Sequence, residues 1–193
     1  VSKSGNLPVH ASGKYIKHTL VARLREDFGE KLDLTHRLDR ETSGLVVLSR
    51  TTEAARALGE AFRERRVEKT YLALVRGAPS RNEFVVEVPL RKIGRQHPLP
   101  RMVADIRDGK RARTRFRVLE RFGGLALIEA APETGRTNQV RAHLELAGHP
   151  VLGDKTYGLP ARLLRKMVAD PHDPDVLEHL VLPRHALHHA HMS

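Results

Sequence analysis

Residues 35–49 read THRLDRETSGLVVLS. Residues 43–49 of this stretch are a short apolar run bounded by polar residues, the pattern of a largely buried strand, although periodicity alone fits a helix as well. Thr51 follows at once and can cap a helix whose face is Ala54, Leu58, Ala61 and Phe62, with Arg56, Glu60, Arg63 and Glu64 turned mostly to solvent. A strand feeding directly into a helix is the nucleus from which the rest of the chain can be read.

On the N-terminal side, Leu20, Val21, Leu24 and Phe28 recur at helical spacing, and Gly29 supplies a stop, which predicts a helix over 20–28. On the C-terminal side, residues 67–75 (VEKTYLALV) alternate Tyr71, Ala73 and Val75 against Leu72 and Leu74 before Gly77-Ala-Pro79 ends the run. Residues 84–88, 112–119 and 125–130 read the same way, and Gly123-Gly124 turns the last two into a hairpin. Helical spacing returns over 137–147 through Val140, Leu144 and Ala147, with Gly148 as the cap. The rest, punctuated by Pro160, Pro171, Pro174 and Pro183, reads as loop with one helix near 161–169. No repeat, low-complexity tract or linker interrupts the pattern. The expectation is a single α+β domain over 1–193, with a mixed, mostly antiparallel sheet flanked by helices and loops. A start at Val1 and a stop at Ser193, just after the beginning of an element, suggest a domain trimmed at both ends.

Thirty-four Lys and Arg against 23 Asp and Glu leave a formal charge of +11, which favours a polyanion, nucleic acid first, as partner. Between residues 91 and 117 ten Lys and Arg face only Asp105 and Asp108, a local +8 that leaves +3 for everything else. Such a run is either a solvated loop or hairpin face or an element that tracks phosphates. With no Cys, disulfides, thiolate nucleophiles, Fe–S clusters and Cys-based zinc sites are excluded. No window approaches about 18 consecutive apolar residues and no secretory leader pattern is visible, so a cytoplasmic protein without a membrane role is expected.

Asp39 stands between Arg37 and Arg40 just before the apolar run. A carboxylate among guanidinium groups is held ionised, as a nucleophile or general base must be, yet the same arrangement suits a surface ion-pair loop. The His-Arg-Leu-Asp run also occurs in the catalytic loop of protein kinases, but a Gly-rich loop, a DFG and a properly spaced Asn are missing.

HRLDRETSGL resembles the signature of the RluA-like pseudouridine synthases, and further segments match that family in the expected order. VSKSGNLPVH resembles its opening Lys-Pro-x-Gly-x-x-Val-His, and EKTYLALVRG its Lys-x-Tyr-x-Ala strand. GRTNQVRAHLELAGHPVLGDKTYG resembles its Gly-Arg-Thr-His-Gln-Ile-Arg helix and the Gly-His-Pro-x-x-Gly-Asp-x-x-Tyr-Gly beyond it, and RHALHHAHM its Arg-x-x-Leu-His-Ala segment. The resemblance runs nearly end to end. It implies isomerisation of a uridine in structured rRNA or tRNA, a reaction with no net redox and no transferred group, hence no cofactor and no metal. It assigns Asp39 as the catalytic carboxylate, Arg141 as its partner, and Tyr71 as the ring that stacks on the base and assists removal of the C5 proton. Val140 would pack against the uracil, a role its apolar helix face leaves open beside a plain core one. Arg37 would fill the space left by the flipped nucleotide.

Arg136 and Thr137, before the helix, suit either a phosphate contact or a simple turn and cap. Arg91, Lys92 and Arg95 are the basic residues expected to grip RNA. His185, His188, His189 and His191 are spaced for metal ligation, but no carboxylate or Cys is close in sequence, and the resemblance makes this segment scaffold. Two departures stand out: Asn138 replaces the usual His and Ser4 the usual Pro. No S4-like RNA-binding domain is visible. Three Tyr, five Phe and no Trp are too few for an extended stacking platform, so recognition by RNA shape and backbone around one extruded uridine is expected. The alternative is a non-catalytic RNA-binding or RNA-folding protein on the same fold. A monomer without an obligatory protein partner is expected.

Overall fold

The computed structural model describes residues 1–11, 17–94 and 99–193. From the N-terminus come β1 (Ser2–Lys3), α1 (Leu20–Phe28), β2 (Asp33–Leu34), β3 (Ser43–Leu45), β4 (Leu48–Ser49) and α2 (Thr52–Arg63). Next come β5 (Lys69–Arg76), β6 (Glu83–Glu87), β7 (Leu90–Ile93), β8 (Arg101–Ala104), β9 (Arg113–Phe122) and β10 (Leu125–Pro132). They are followed by α3 (Gln139–Leu146), α4 (Ala161–Ala169), α5 (Pro174–Leu180) and β11 (Leu187–Met192). The chain is α+β with mainly antiparallel pairing, as its sequence pattern predicts. It divides into two compact units, Val1–Lys69 with His188–Ser193, and Thr70–Leu187.

In the first unit β3 has β1 antiparallel on one side, Lys3 opposite Gly44, and β11 parallel on the other, His189 opposite Gly44. The apolar run 43–49 is therefore not one strand: β3 pairs with β1 and β11, whereas β4 pairs with β2. The break has a local cause. Val46 is fully buried, and the Val47 N–H donates to His36 Nε2 at 2.9 Å instead of to a neighbouring strand. His36 stacks on Phe62 of α2, ring centroids 5.0 Å apart, and meets the His189 ring edge-on at 6.0 Å. As an acceptor at Nε2 the imidazole must be neutral. Burial, aided by the charges of His189 and Lys69, lowers its pKa from 6.5 to about 4.

Both predicted helix starts hold in this unit. Thr19 Oγ1 accepts from the Ala22 N–H (3.2 Å) at α1, and Thr51 Oγ1 accepts from the Ala54 N–H (3.1 Å) at α2. Gly29 ends α1 with a positive φ of 85°. β11 lay hidden in the sequence because histidine reads as polar: Leu187 and His189 are buried while His188 between them is exposed, a strand alternation written partly in imidazoles.

In the second unit the strand order is β5–β10–β9–β6, all antiparallel. Gly123 and Gly124, both at positive φ, make the β9–β10 turn where the sequence puts it. Alternation sends Ala126, Ile128 and Ala130 of β10 and Phe116 of β9 inward, where they form a core with Ala73, Val75, Val140 and Leu144. The opposite face of β9 carries Arg113, Arg115 and Arg117.

These arginines correct the expected charge distribution. Arg111 and Arg113 pair with Glu87, Arg113 and Arg115 with Glu133, and Arg117 with Glu129, at 2.6 to 3.2 Å. Counting along the sequence isolates the arginines, but antiparallel pairing sets acids from flanking segments beside them. Three carboxylates thus offset part of the local +8 from outside the run. β7 and β8 pair antiparallel, with Arg91 opposite Val103 and Lys92 opposite Met102.

Two tests follow from the first unit. A Cβ on Gly44, whose φ is +112°, would lie 2.2 Å from the His189 carbonyl oxygen, so Gly44→Ala must prise β3 from β11. Thermal unfolding should show a loss of about 3 kcal/mol or more; an unchanged Tm would refute the pairing. His36 contributes stability that is complete above its unfolded pKa of about 6.5 and is lost as pH falls towards about 4. Denaturant titrations across this window should give a shallower pH slope for His36→Gln than for wild type.

Candidate active site

Asp39 sits half-buried in the loop before β3, between the exposed Arg37 and Arg40. Leu38 turns inward and pins the loop between them. Arg40 Nη2 donates to Glu41 (3.1 Å), and Arg37 Nη1 reaches His10 Nε2 at 3.4 Å. Beneath the loop lies Lys3, only 1% exposed, whose ammonium donates to the carbonyls of Ser4 (2.8 Å), Leu7 (3.0 Å) and Arg40 (3.0 Å). A buried ammonium is tolerable when its protons are satisfied, and here they join the opening segment to the residue after Asp39. Ser4 takes part through its carbonyl, which proline would also offer, so the departure from the family pattern leaves this contact intact.

The C-terminal histidines brace the same loop region. Ser43 Oγ lies 2.9 Å from His188 Nδ1, and His189 Nδ1 donates to the Leu45 carbonyl at 2.7 Å. His185 is buried and His191 exposed. Among the described residues, no three His, Cys, Asp or Glu side chains converge as a metal-binding group.

Tyr71, on β5 opposite Ala130, is half-buried against the core cluster that contains Val140. Val140 is 6% exposed, so most of its surface is already committed to that core. Arg141, the next residue on α3, is buried in a bidentate pair with Asp154: Nε to Oδ2 at 2.6 Å and Nη2 to Oδ1 at 2.7 Å. Asp154 Oδ1 also accepts the N–H groups of Thr156 (2.9 Å) and Tyr157 (3.0 Å). Burial alone would push this carboxyl up. The charge and hydrogen bonds of Arg141, the charge of His185 and the Thr156 N–H outweigh it and hold the pKa below the usual range.

The chain turn closed by Asp154 seats Tyr157 under the guanidinium groups of Arg141 and Arg101, at 5.0 and 4.5 Å from its ring centroid. The Tyr157 hydroxyl accepts the Met102 N–H of β8 (2.9 Å) and faces Asn138 Nδ2 at 3.4 Å. Asn138 precedes α3 with φ 51° and ψ 20°, the left-handed region that asparagine tolerates better than most residues. This accounts for Asn at that position.

Gln139 then fastens the helix start to the sheet. Its Oε1 accepts from Thr134 Oγ1 (2.7 Å) and the Arg136 N–H (3.0 Å), and its Nε2 donates to the Arg113 carbonyl (2.9 Å) and Thr114 Oγ1 (3.0 Å). The run continues through Thr114 Oγ1 to His143 Nδ1 (2.9 Å) and from His143 Nε2 to the Val88 carbonyl (3.1 Å). The Val88 carbonyl can only accept, so His143 Nε2 carries a proton. Burial lowers its pKa.

Of the predicted site residues, Asp39 and Arg37 belong to the first unit, and Tyr71, Val140, Arg141, Arg136, Thr137, Arg91 and Lys92 to the second. Tyr71 and Val140 meet on one core. Arg136 is held by its Nε to the Arg111 carbonyl (3.0 Å), and Thr137 is exposed. Lys92 is exposed, whereas Arg91 is paired with Asp105. Arg95 lies outside the described residues. Lys3, Gln139, Asp154 and Tyr157 were missed as functional supports. Each lies within a motif quoted above, but a buried charge is invisible until its partner, distant in sequence or across a turn, is known.

Replacing Asp154 by Asn leaves the Arg141 guanidinium buried against an amide that cannot balance its charge. Urea unfolding should show a loss of about 3–5 kcal/mol, the usual result of breaking a buried pair. A loss under about 1 kcal/mol would mean that the pair does not hold the helix.

A sequence model described as RNA pseudouridylate synthase matches residues 1–146. The Haemophilus ducreyi protein named ribosomal large subunit pseudouridine synthase C is 45% identical over 127 residues, 66% of this chain and 39% of the relative. Ribosomal large subunit pseudouridine synthase D of Nitrosomonas europaea is 42% identical over 156 residues, 80% of this chain and 41% of the relative. The chain thus spans about two-fifths of the length of these two relatives. The solved structure of human RNA pseudouridylate synthase domain containing 1 superposes over all of this chain and 72% of that one, with TM-score 0.77 and 28% identity. The signature loop, the Tyr71 strand and the Arg141 helix all lie within the matched residues, and the chain belongs to the RNA pseudouridylate synthase family.

Proposed function

We propose that this chain isomerises uridine to pseudouridine in large-subunit ribosomal RNA, with Asp39 as the catalytic carboxylate. The observation that carries the reading is the intact signature loop, with Asp39 following the inward Leu38 and the loop's next carbonyl tied to buried Lys3. The ribosomal names of the relatives favour rRNA over tRNA as the substrate.

The reaction breaks the N1–C1′ glycosidic bond, turns the uracil over and forms C5–C1′; the C5 proton is lost and N1 regains one, so atoms and electrons balance without an oxidant or a second substrate. Asp39 either attacks C1′, expelling the uracil with the bonding pair, or takes the C2′ proton so that a glycal forms as the base departs. In both routes Arg141 pairs with the Asp39 carboxylate, its orientation set from behind by Asp154. Tyr71 stacks on the loose uracil and assists removal of the C5 proton, and Val140 backs that surface from the helix. Arg37, exposed beside Asp39, occupies the place of the flipped nucleotide. Arg136 and Thr137 meet the backbone near the target. Lys92, with Arg91 and Arg95, adds sequence-independent attraction.

In cells lacking the gene, carbodiimide mapping of pseudouridine should lose one or more stops in large-subunit rRNA. Wild type should restore them and Asp39→Ala should not. Rescue by Asp39→Ala would exclude Asp39 as the catalytic carboxylate. Arg141→Ala breaks the buried pair with Asp154, so at a temperature where Tm shows it folded it should bind RNA yet lose turnover by at least about a hundredfold; lost affinity with intact turnover would remove Arg141 from the chemistry.

A further inference from the structure

Among the described residues, Ile106 is the most exposed large hydrophobic side chain, at 87%, ahead of Val181 at 63%. It stands at the tip of a turn that leaves β8 and returns to β9, in the sequence Asp105-Ile-Arg-Asp-Gly-Lys110. A loose loop would let such a side chain fold back onto the surface. This turn is instead closely determined. Asp105 Oδ1 accepts the N–H groups of Arg107 (3.0 Å) and Asp108 (2.9 Å), while its Oδ2 holds Arg91. The Asp105 N–H donates to the Pro89 carbonyl (2.9 Å), and the Gly109 N–H to the Asp105 carbonyl (3.0 Å). Lys110 and Leu90 exchange backbone bonds at 2.9 and 3.0 Å. Gly109 fits because a Cβ there would lie 2.1 Å from the Asp105 carbonyl oxygen.

Cations outnumber acids around the tip, where Asp108 is also exposed. Arg107, Lys110 and Lys92 are exposed. Beyond Lys110, the Arg111 carbonyl accepts from Arg136 Nε, which joins this turn to the loop that enters the Arg141 helix. A rigid apolar tip flanked by cations and fastened to an active-site loop matches RNA, which offers apolar base and ribose faces between phosphates.

We propose that the turn at residues 105–110 is an RNA-docking knob. Ile106 packs against a base or ribose face of the RNA, and Arg107 and Lys110 hold the adjoining phosphates. The proposal rests on RNA being the substrate; it adds a contact that none of the motif residues supplies.

Because Ile106 is exposed, Ile106→Asn should fold like wild type, which Tm verifies. The probe is an unmodified transcript of large-subunit rRNA, with affinity measured by filter retention over a range of salt concentrations. Ile106→Asn should weaken binding about tenfold with an unchanged slope of log K against log salt, the signature of a lost apolar contact. Arg107→Ala with Lys110→Ala should weaken binding and flatten the slope. Wild-type affinity in Ile106→Asn would overturn the knob, and so would a loss of affinity that comes with a changed slope. If the protein binds the transcript but forms no pseudouridine, the reading of the reaction fails while the affinity comparison still decides the knob.

Discussion

A guanidinium buried with a carboxylate is the constraint on which the second unit depends. Arg141 is charged at any pH the protein meets, and its place on α3 removes it from water. Only a partner that is equally buried, coplanar and ionised makes that position tenable. Asp154 meets the demand with both oxygens and spends its remaining acceptor capacity on the N–H groups of Thr156 and Tyr157. The turn so formed delivers Tyr157 to a fixed place, and its hydroxyl then serves β8 and faces Asn138 at the start of α3. One ion pair thereby sets the orientation of a helix, a hairpin strand and the loop between them.

The first unit solves a similar problem with the opposite sign of partner. Lys3 has backbone carbonyls around its ammonium, and these dipoles come from segments far apart in the chain. The same unit uses a neutral imidazole, His36, to accept the N–H that a strand would otherwise have used. Side chains that look like surface charges in a linear reading are here the fasteners of an irregular backbone. Long loops can be held in one conformation only when their polar groups are satisfied in this way.

This explains which parts of the fold were legible in the sequence. Helix α1 is readable because apolar spacing and the Gly29 stop are local signals, and Gly123-Gly124 announces its hairpin for the same reason. The division of residues 43–49 was not readable, since it follows from His36 intercepting one N–H from eleven positions away. The prolines around α5 point to loop, yet Pro174 opens the helix, where proline is well tolerated. The charge of residues 91–117 was readable as a sum but not as a field: Glu87, Glu129 and Glu133 come alongside only once the strands pair. At the site, Asp39, Tyr71 and Arg141 were marked by motif, whereas Asp154, Gln139 and Lys3 carry their meaning in contacts that no spacing rule encodes.

Under the proposed function the two acids have separate duties: Asp154 maintains the scaffold around Arg141, and Asp39 performs the chemistry. Tritium release from rRNA transcripts labelled at uridine C5, measured in parallel with Tm for Asp39→Asn and Asp154→Asn, tests that division most directly. The expected result is that Asp39→Asn releases no tritium at temperatures where its Tm shows it folded, while Asp154→Asn loses rate and Tm together. Tritium release by Asp39→Asn at the wild-type rate would contradict it.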